Sequence, residues 1–326
     1  MTTSKDNHAL VVLCSTIGYQ SKATKDKKEK SDKSDKNNKE TADDKKAVKP
    51  LTLAAYNKLE TRLQSAGFSP SIFLTEKLTD ISERLSLTQP EIEQIEKLLL
   101  RADKLGEELE RLAEKKIYTV SRTQNNYPAK LKKAMGKQAP VIFFFCGEMS
   151  LLEAETVAII GSREVTEQED EYTKKHARIS AQNGRIIVSG GARGVDTIAK
   201  EAALHAGGKV VTYVSDDMVK YITKNAEHIL YDKLLVLSAF HPEAAFQGYN
   251  ALERNKYIYA SSDYAVVVSS GDGTGKSGSY KGAADCLKNN YCPLYIKDDE
   301  QAPEGNKKLI ELGGNPVNEA HERLGL

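Results

Sequence analysis

The sequence predicts an α/β fold, a doubly wound and mostly parallel sheet, preceded by a small helical domain. Three observations carry this. From Ile117 onward, short uninterrupted apolar runs alternate with helical stretches. Strands covered by helices on both faces read as such runs. Before Lys116 the apolar residues instead recur at helical spacing.

The elements follow in order. Ala9 to Ile17 reads as a first helix. Ser21 to Lys49 holds eleven lysines and seven acids. It has too little apolar mass to fold, so residues 21–49 are expected to form a disordered lysine-rich insert. Pro50 then opens a helix carrying Leu53, Tyr56, Leu59 and Leu63 on one face. A shorter helix spans Phe73 to Leu85. Thr88 with Glu91 three residues on makes a capping box, which starts a helix through Ile92, Ile95 and Leu98 towards Leu112. Strands are predicted at Ile117–Val120, Val141–Phe145, Val157–Ile160, Ile186–Val188, Val210–Val214, Leu234–Leu237, Ala265–Val268 and Leu294–Ile296. Helices fit between them at Val165–Gln182, Asp196–His205, Asp217–Leu230, Tyr249–Ala260 and Gly282–Asn289. The expected domains are 1–20 with 50–115, the insert 21–49, and 116–326.

Composition removes several function classes. The 326 residues carry 47 basic and 46 acidic side chains, a formal net charge of +1. The insert contributes about +4 of this, so the folded remainder is slightly acidic. Nucleic-acid binding would need a local basic patch. No apolar run approaches the ~20 residues of a membrane helix, and the N-terminal flanks do not suit a signal peptide. The four cysteines, Cys14, Cys146, Cys286 and Cys292, form no C-x-x-C pair. They fit a reduced, cytoplasmic chain better than a disulfide frame or a zinc site. No metal-ligand cluster or nucleophile–base set shows by spacing, so no cofactor, metal or catalytic residue is expected.

On a doubly wound sheet, ligands sit at the carboxyl ends of the strands. Three loops there share one character. Gly161-Ser162-Arg163 follows a strand. Ser189-Gly190-Gly191-Ala192-Arg193-Gly194-Val195-Asp196 joins a strand to a helix. The stretch SSGDGTGKSGSY, Ser269 to Tyr280, does the same late in the chain. Small residues let a ligand approach the backbone, and helix N-termini offer N–H groups to anions. Arg163, Arg193 and Lys276 add charge where an anion would lie. Asp196 also suits the first turn of a helix for its dipole alone. The late loop is no Walker A motif: that pattern requires glycine five residues before Gly275, where Ser270 stands. No G-x-G-x-x-G follows the first strand, so no dinucleotide site is indicated.

Taken in order, these residues resemble the DNA-processing protein A (DprA, Smf) family. Tyr127-Pro-Ala-Lys-Leu131 and Ala139-Pro-Val-Ile-Phe143 are similar to its entry segment. Gly161-Ser-Arg163, Ser189 to Asp196 and Ala203 to Gly208 follow, then Arg254-Asn255-Lys256 with Ala260, Lys276-Ser277-Gly278-Ser279, and Gly305 to Gly314. The resemblance implies an extended Rossmann-like domain behind a small SAM-like helical domain. It implies a non-enzymatic homodimer that binds single-stranded DNA and hands it to RecA. It places phosphates on Arg163, Arg193, Arg254, Lys256 and Lys276. Gly161, Ser162, Gly190, Gly191, Ser277 and Gly278 would lend backbone groups, and Ser189, Gly194, Asp196, Asn255 and Ser279 complete the set. Tyr257, Tyr259 and Tyr280 are candidates for stacking, with core packing the competing reading for the first two. The chain departs from the family in its lysine-rich insert, its glycine-rich loop 272–275 and the absence of a C-terminal winged helix. A second reading is a nucleotide sensor or regulatory partner in a phage-defence or toxin–antidote system. A third, a nucleotide phosphoribohydrolase, is suggested by Gly271-Asp-Gly-Thr274 but lacks the glutamate that such a motif supplies.

Overall fold

The structure, a computed structural model, describes residues 4–17 and 48–317. Most of the expected lysine-rich insert lies outside them. The chain divides into two compact units. One comprises Met1–Gln124 with Pro140–Ile142, the other Asn125–Ala139 with Phe143–Leu326.

The first unit contains α1 (Lys5–Cys14), α2 (Leu53–Ser65), α3 (Ile72–Thr75), α4 (Leu78–Ser82), α5 (Gln89–Leu99), α6 (Ala102–Glu114) and β1 (Tyr118–Ser121). Ser4 caps α1 by accepting from the Asn7 N–H, and Asn7 Nδ2 donates to Thr119 Oγ1 at 2.9 Å. Tyr56, Leu59 and Leu63 form the buried stripe of α2, as their spacing requires. The capping box of Thr88 and Glu91 opens α5. Two helices expected to be continuous are broken. Residues 73–85 split into α3 and α4, where Glu76 and Lys77 are extended. The helix expected to run on to Leu112 divides at Leu100 and Arg101. There the Arg101 guanidinium turns back to donate to the carbonyls of Val12, Ser15 and Ile17 beyond and within the last turn of α1.

The second unit contains α7 (Ala129–Met135), β2 (Ile142–Cys146), β3 (Thr156–Ile160), α8 (Glu167–Gln182), β4 (Ile186–Ser189) and α9 (Val195–His205). It continues with β5 (Val210–Tyr213), α10 (Met218–Lys224), α11 (Ala226–Leu230), β6 (Leu234–Ser238) and α12 (Gly248–Ala260). It ends with β7 (Tyr264–Val267), α13 (Gly278–Asn289), β8 (Leu294–Lys297), α14 (Glu304–Glu311) and β9 (Asn315–Val317). Among the described residues its strands run in the order β2-β6-β5-β4-β3-β7-β8-β9. Only the β2–β6 pairing is antiparallel there; β6 through β9 are parallel throughout. Every residue of β3, β4, β5 and β6 is buried, as a sheet covered on both faces demands. The α/β fold, Rossmann-like in its strand order, is as the sequence predicted. The expected helix 217–230 is interrupted at Asn225, whose side chain accepts from Lys200 and donates to the Tyr221 carbonyl. The short edge strand β9 carries Pro316, which an edge tolerates.

The chain winds outward from β3 through β4 and β5 to β6, then crosses back to β7 beside β3. The strand order therefore reverses between β3 and β7. Such a reversal opens a crevice at the carboxyl ends of the flanking strands.

Candidate functional site

Three loops meet at that crevice, and their backbones are stitched together. Ser162 N–H donates to Ser269 Oγ at 3.1 Å, joining the loop after β3 to the loop after β7. Ser279 Oγ donates back to the Gly161 carbonyl at 2.6 Å. Val195 N–H donates to the Ser162 carbonyl at 3.1 Å, which brings in the loop after β4. Asn255 Nδ2 reaches the Gly278 carbonyl and ties α12 to the start of α13. Two glycines are sterically required. Gly194 has φ +78, and a Cβ there would lie 2.2 Å from the Ser162 carbonyl oxygen. At Gly190 a Cβ would lie 1.2 Å from Arg254 Nη1.

Arg254 is the floor of the site. It is only 5% exposed, and its guanidinium lies against Gly190 with Nη1 3.6 Å from Asp196 Oδ2. Its Nε and Nη1 have no hydrogen-bond partner. Burial lowers the pKa of this guanidinium and raises that of the Asp196 carboxyl; their mutual attraction opposes both shifts. Asp196 also accepts from the Ala192 N–H at 3.3 Å and so closes the glycine-rich turn. Ser189 is buried beneath that turn and donates to the Asp196 carbonyl.

Two adjoining chambers open above this floor and share Arg163, Ala192, Phe246 and Arg254. The first, of 370 Å³, lies over the ends of β4 and β5 and is lined by Arg193, Asp216, Lys220, Tyr221 and Lys224. The second, of 540 Å³, lies over β3 and β7 and is lined by Gly161, Ser162, Asn255, Lys276, Ser277 and Lys281. Arg163 stands between them with its guanidinium 5.6 Å from the centre of the Phe246 ring. Among the described residues Arg163, Arg193 and Lys276 form no ion pair.

The loop after β7 is not free to flap. Ser270 Oγ donates to Asn306 Oδ1 at 2.8 Å, and Asn306 Nδ2 donates to the carbonyls of Val268 and Lys297. Gly305 N–H donates to the Gly271 carbonyl. The position at which a Walker A loop needs glycine thus holds a buried serine with a structural bond. Ser277 caps α13 by accepting from the Tyr280 N–H. The α9 cap, Gly194, has no side chain, so the first-turn N–H groups of α9 lack that partner.

The sequence-expected residues are therefore mostly gathered, with exceptions. Gly161, Ser162, Arg163, Gly190, Gly191, Arg193, Asp196, Arg254, Asn255, Lys276, Ser277, Gly278 and Ser279 line one or both chambers. Ser189 and Gly194 sit behind them as framework. Lys256 is turned to the other side of α12, where its Nζ pairs with Glu253 at 2.8 Å. Tyr257 packs in the core against Phe143 and Tyr213, and Tyr259 is fully buried. Tyr280 is half-buried and lines neither chamber. The aromatic group at the opening is Phe246, 55% exposed. Its signal in the sequence is weak: it follows Ala244-Ala245 and lies between Phe240 and Tyr249, just before a helix. Lys220, Tyr221 and Lys224 had no motif to mark them; only the position of α10 at the end of β5 brings them in.

Geometry of this kind defines a class: an α/β protein with a preformed strand-end cleft lined by arginine and lysine. The profile of the family described as DNA recombination-mediator protein A matches residues 118–325, and the chain belongs to that family. It is 27% identical over 285 residues to the DNA processing protein DprA of Bacillus subtilis, covering 82% of this chain and 91% of that one. It is 32% identical over 123 residues to DprA of Streptococcus pneumoniae, covering 37% of this chain and 43% of that one. The solved S. pneumoniae DprA structure matches with a TM-score of 0.63 at 23% identity, covering 84% of this chain and 97% of that chain. Helicobacter pylori DprA, whose structure is described as revealing a unique single-stranded DNA binding mode, matches with a TM-score of 0.53 at 28% identity, covering 64% and 94%. The family's description is that of a DNA recombination mediator. Among the described residues no group of His, Cys, Asp and Glu could hold a metal, and no helix is long and apolar enough to cross a membrane.

Proposed function

We propose that the protein binds single-stranded DNA along the two chambers and acts as a DNA-processing protein by presenting that strand for recombination. The observation that carries the reading is the pair of chambers joined over Arg254. A backbone running across strand ends would meet Arg193 and Lys220 in one chamber, Arg163 at the divide, and Lys276 with Lys281 in the other. Phosphates would take N–H groups from the first turn of α9 beyond Val195. Phe246 supplies a face on which a base can stack without regard to its identity. Lys256 is left out of this set because Glu253 already holds it. The domain expected over 116–326 is the DNA-binding part in this proposal. Delivery of the strand to RecA and action as a homodimer belong to the same proposal, and the family's description as a recombination mediator supports the first.

The test is fluorescence anisotropy with a labelled oligo-dT at two salt concentrations, comparing wild type with Arg163→Ala/Lys276→Ala. Binding should weaken at least tenfold in the double variant. The salt slope should fall by about 0.7 for each phosphate contact removed. Equal affinity and slope would sink the site. Size-exclusion chromatography with light scattering checks the dimer, and a pull-down with RecA checks the handover.

One observation favours a second reading. The chamber over β5, of 370 Å³, carries carboxylates, Asp216 and Asp217, beside its cations. Asp217 holds a left-handed conformation, φ +32, unusual for a residue other than glycine. A nucleotide sensor would melt higher with mononucleotides present, its stability raised by about 2.7 kcal/mol at a hundred times the dissociation constant. A DNA-only protein would not.

A further inference from the structure

Far from the cleft, at the other end of α13, two thiols face each other. Cys286 lies in the last turn of that helix and Cys292 two residues before β8, with their sulfurs 3.9 Å apart. The turn between them is fixed. Tyr291 N–H donates to the Cys286 carbonyl, Asn290 takes the left-handed conformation that ends the helix, and Pro293 offers its carbonyl to Ala265 N–H of β7. The Cys286 thiol also lies 3.6 Å from the Cys292 carbonyl. Both side chains are buried, yet the cover is thin: Lys288, Asn289, Asn290 and Pro293 around them are exposed. A helix's last turn opens at low free-energy cost, which admits a small oxidant.

We propose that Cys286 and Cys292 form a dithiol–disulfide site that is oxidised by a hydroperoxide and reversed by a thiol reductant. The separation is about twice a disulfide bond length, near ~2.0 Å, with both sulfurs already directed at one another. Side-chain rotation and a small shift of the helix's final turn close it.

The steps balance without any group beyond the peroxide. The Cys286 thiolate attacks one peroxide oxygen; an S–O bond forms, the O–O bond breaks, and the other oxygen leaves and is protonated to water or an alcohol. Cys292 then attacks the sulfenic sulfur. An S–S bond forms, the S–O bond breaks, and hydroxide departs with the Cys292 proton as water. The two thiols lose two electrons and the peroxide gains them. The order of roles follows from the contact itself. The Cys286 S–H is directed at the Cys292 carbonyl, so the hydrogen between the two sulfurs is that of Cys292; its donation lowers the Cys286 pKa below the ordinary thiol value and pushes that of Cys292 up. Cys286 is thus the attacking sulfur and Cys292 the resolving one. Neither residue lines the chambers, so this site is independent of the DNA-binding reading.

The experiment uses the full chain, reduced, then treated with hydrogen peroxide at a few equivalents and mapped by mass spectrometry without reduction. The expected result is a loss of 2 Da per chain, titratable thiols falling from four to two, and a crosslinked peptide pair containing Cys286 and Cys292. Dithiothreitol should restore all four thiols. In Cys292→Ser, dimedone should trap a sulfenic acid at Cys286. Oxidation that maps to Cys14 or to a bond between chains, or four thiols remaining, overturns the proposal. Because the wild-type map decides the matter, a poorly folding variant does not rescue it.

Discussion

In the helical unit Arg101 gives its guanidinium to three backbone carbonyls near the end of α1, and Arg122 lies buried with Asn57 at 2.8 Å and Glu60 at 3.4 Å. In the sheet unit Arg163 and Arg193 stand exposed and, among the described residues, in no ion pair, over a third arginine that is buried but underpartnered. The same residue type does two jobs. Where chain carbonyls or carboxylates surround it, arginine closes the fold. Where the strand order reverses and loops leave an open crevice, it is left without such acceptors, and in the proposed function an anion from outside supplies them. The difference lies in the acceptors provided, since nothing in the side chain itself distinguishes the two.

The largest effect should come from Gly190→Ala. Its methyl would fall on the Arg254 guanidinium and drive it from Asp196. Overpacking costs about 1–3 kcal/mol, and separating a buried pair adds to it. Urea unfolding should show a loss of about 3 kcal/mol, together with abolished oligo-dT binding. Native stability with intact binding would mean that Arg254 is not the floor on which the cleft depends.

Arg101→Met sharpens the comparison from the other side. It leaves the carbonyls of Val12, Ser15 and Ile17 without their donor, for a cost of about 2–3 kcal/mol of stability. DNA affinity should not change. A matching loss of affinity would break the division between structural and binding arginines.

The aromatics offer the same contrast at smaller scale. Phe246→Ala should weaken oligo-dT binding by about 1–3 kcal/mol, the worth of one stacked base, and leave stability within about 0.5 kcal/mol. Tyr257→Phe, in the core beside Phe143, should leave binding unchanged. If Tyr257 rather than Phe246 governs affinity, the stacking group has been misplaced.

This last pair also marks how far the sequence could be read. The apolar runs gave the sheet because strands covered on both faces leave a signature in hydrophobicity alone. The loop residues were legible because glycine and arginine just after a strand have few other uses. For Tyr257 and Tyr259 the competing reading, core packing, is the one the structure shows; helix α12 has one face to the cleft and another to the core, and the RN-K-Y-I-Y run does not say which residue lies on which. Lys256 fell on the far face for the same reason, one helical step from Asn255. Arg101 was invisible: its acceptors lie more than eighty residues away in sequence, and only tertiary contact names them. Phe246 is placed by a loop whose path no pattern encodes.

The smallest effect concerns Glu91, which caps α5 through the Thr88 N–H and pairs with Arg62 at 2.9 Å. The hydrogen bond from Arg62 holds its pKa below the usual carboxylate value of 4.5. A depressed folded pKa means that the unfolded chain binds the proton more readily. The stabilisation is therefore complete above the unfolded value and lost as pH falls through the folded one. Glu91→Gln keeps an acceptor for the cap but not the charge. Its melting temperature should lie slightly below wild type at neutral pH and converge with it as acidification carries the pH through the folded pKa of Glu91. The pair is partly exposed, so added salt should shrink the neutral-pH gap as well. Screening of this kind should act on the Glu91–Arg62 pair and on the cleft's DNA affinity, but leave the Arg101 carbonyl bonds almost untouched. A difference between variant and wild type that persists unchanged into acid would assign Glu91's role to packing and remove it from the charge-held set.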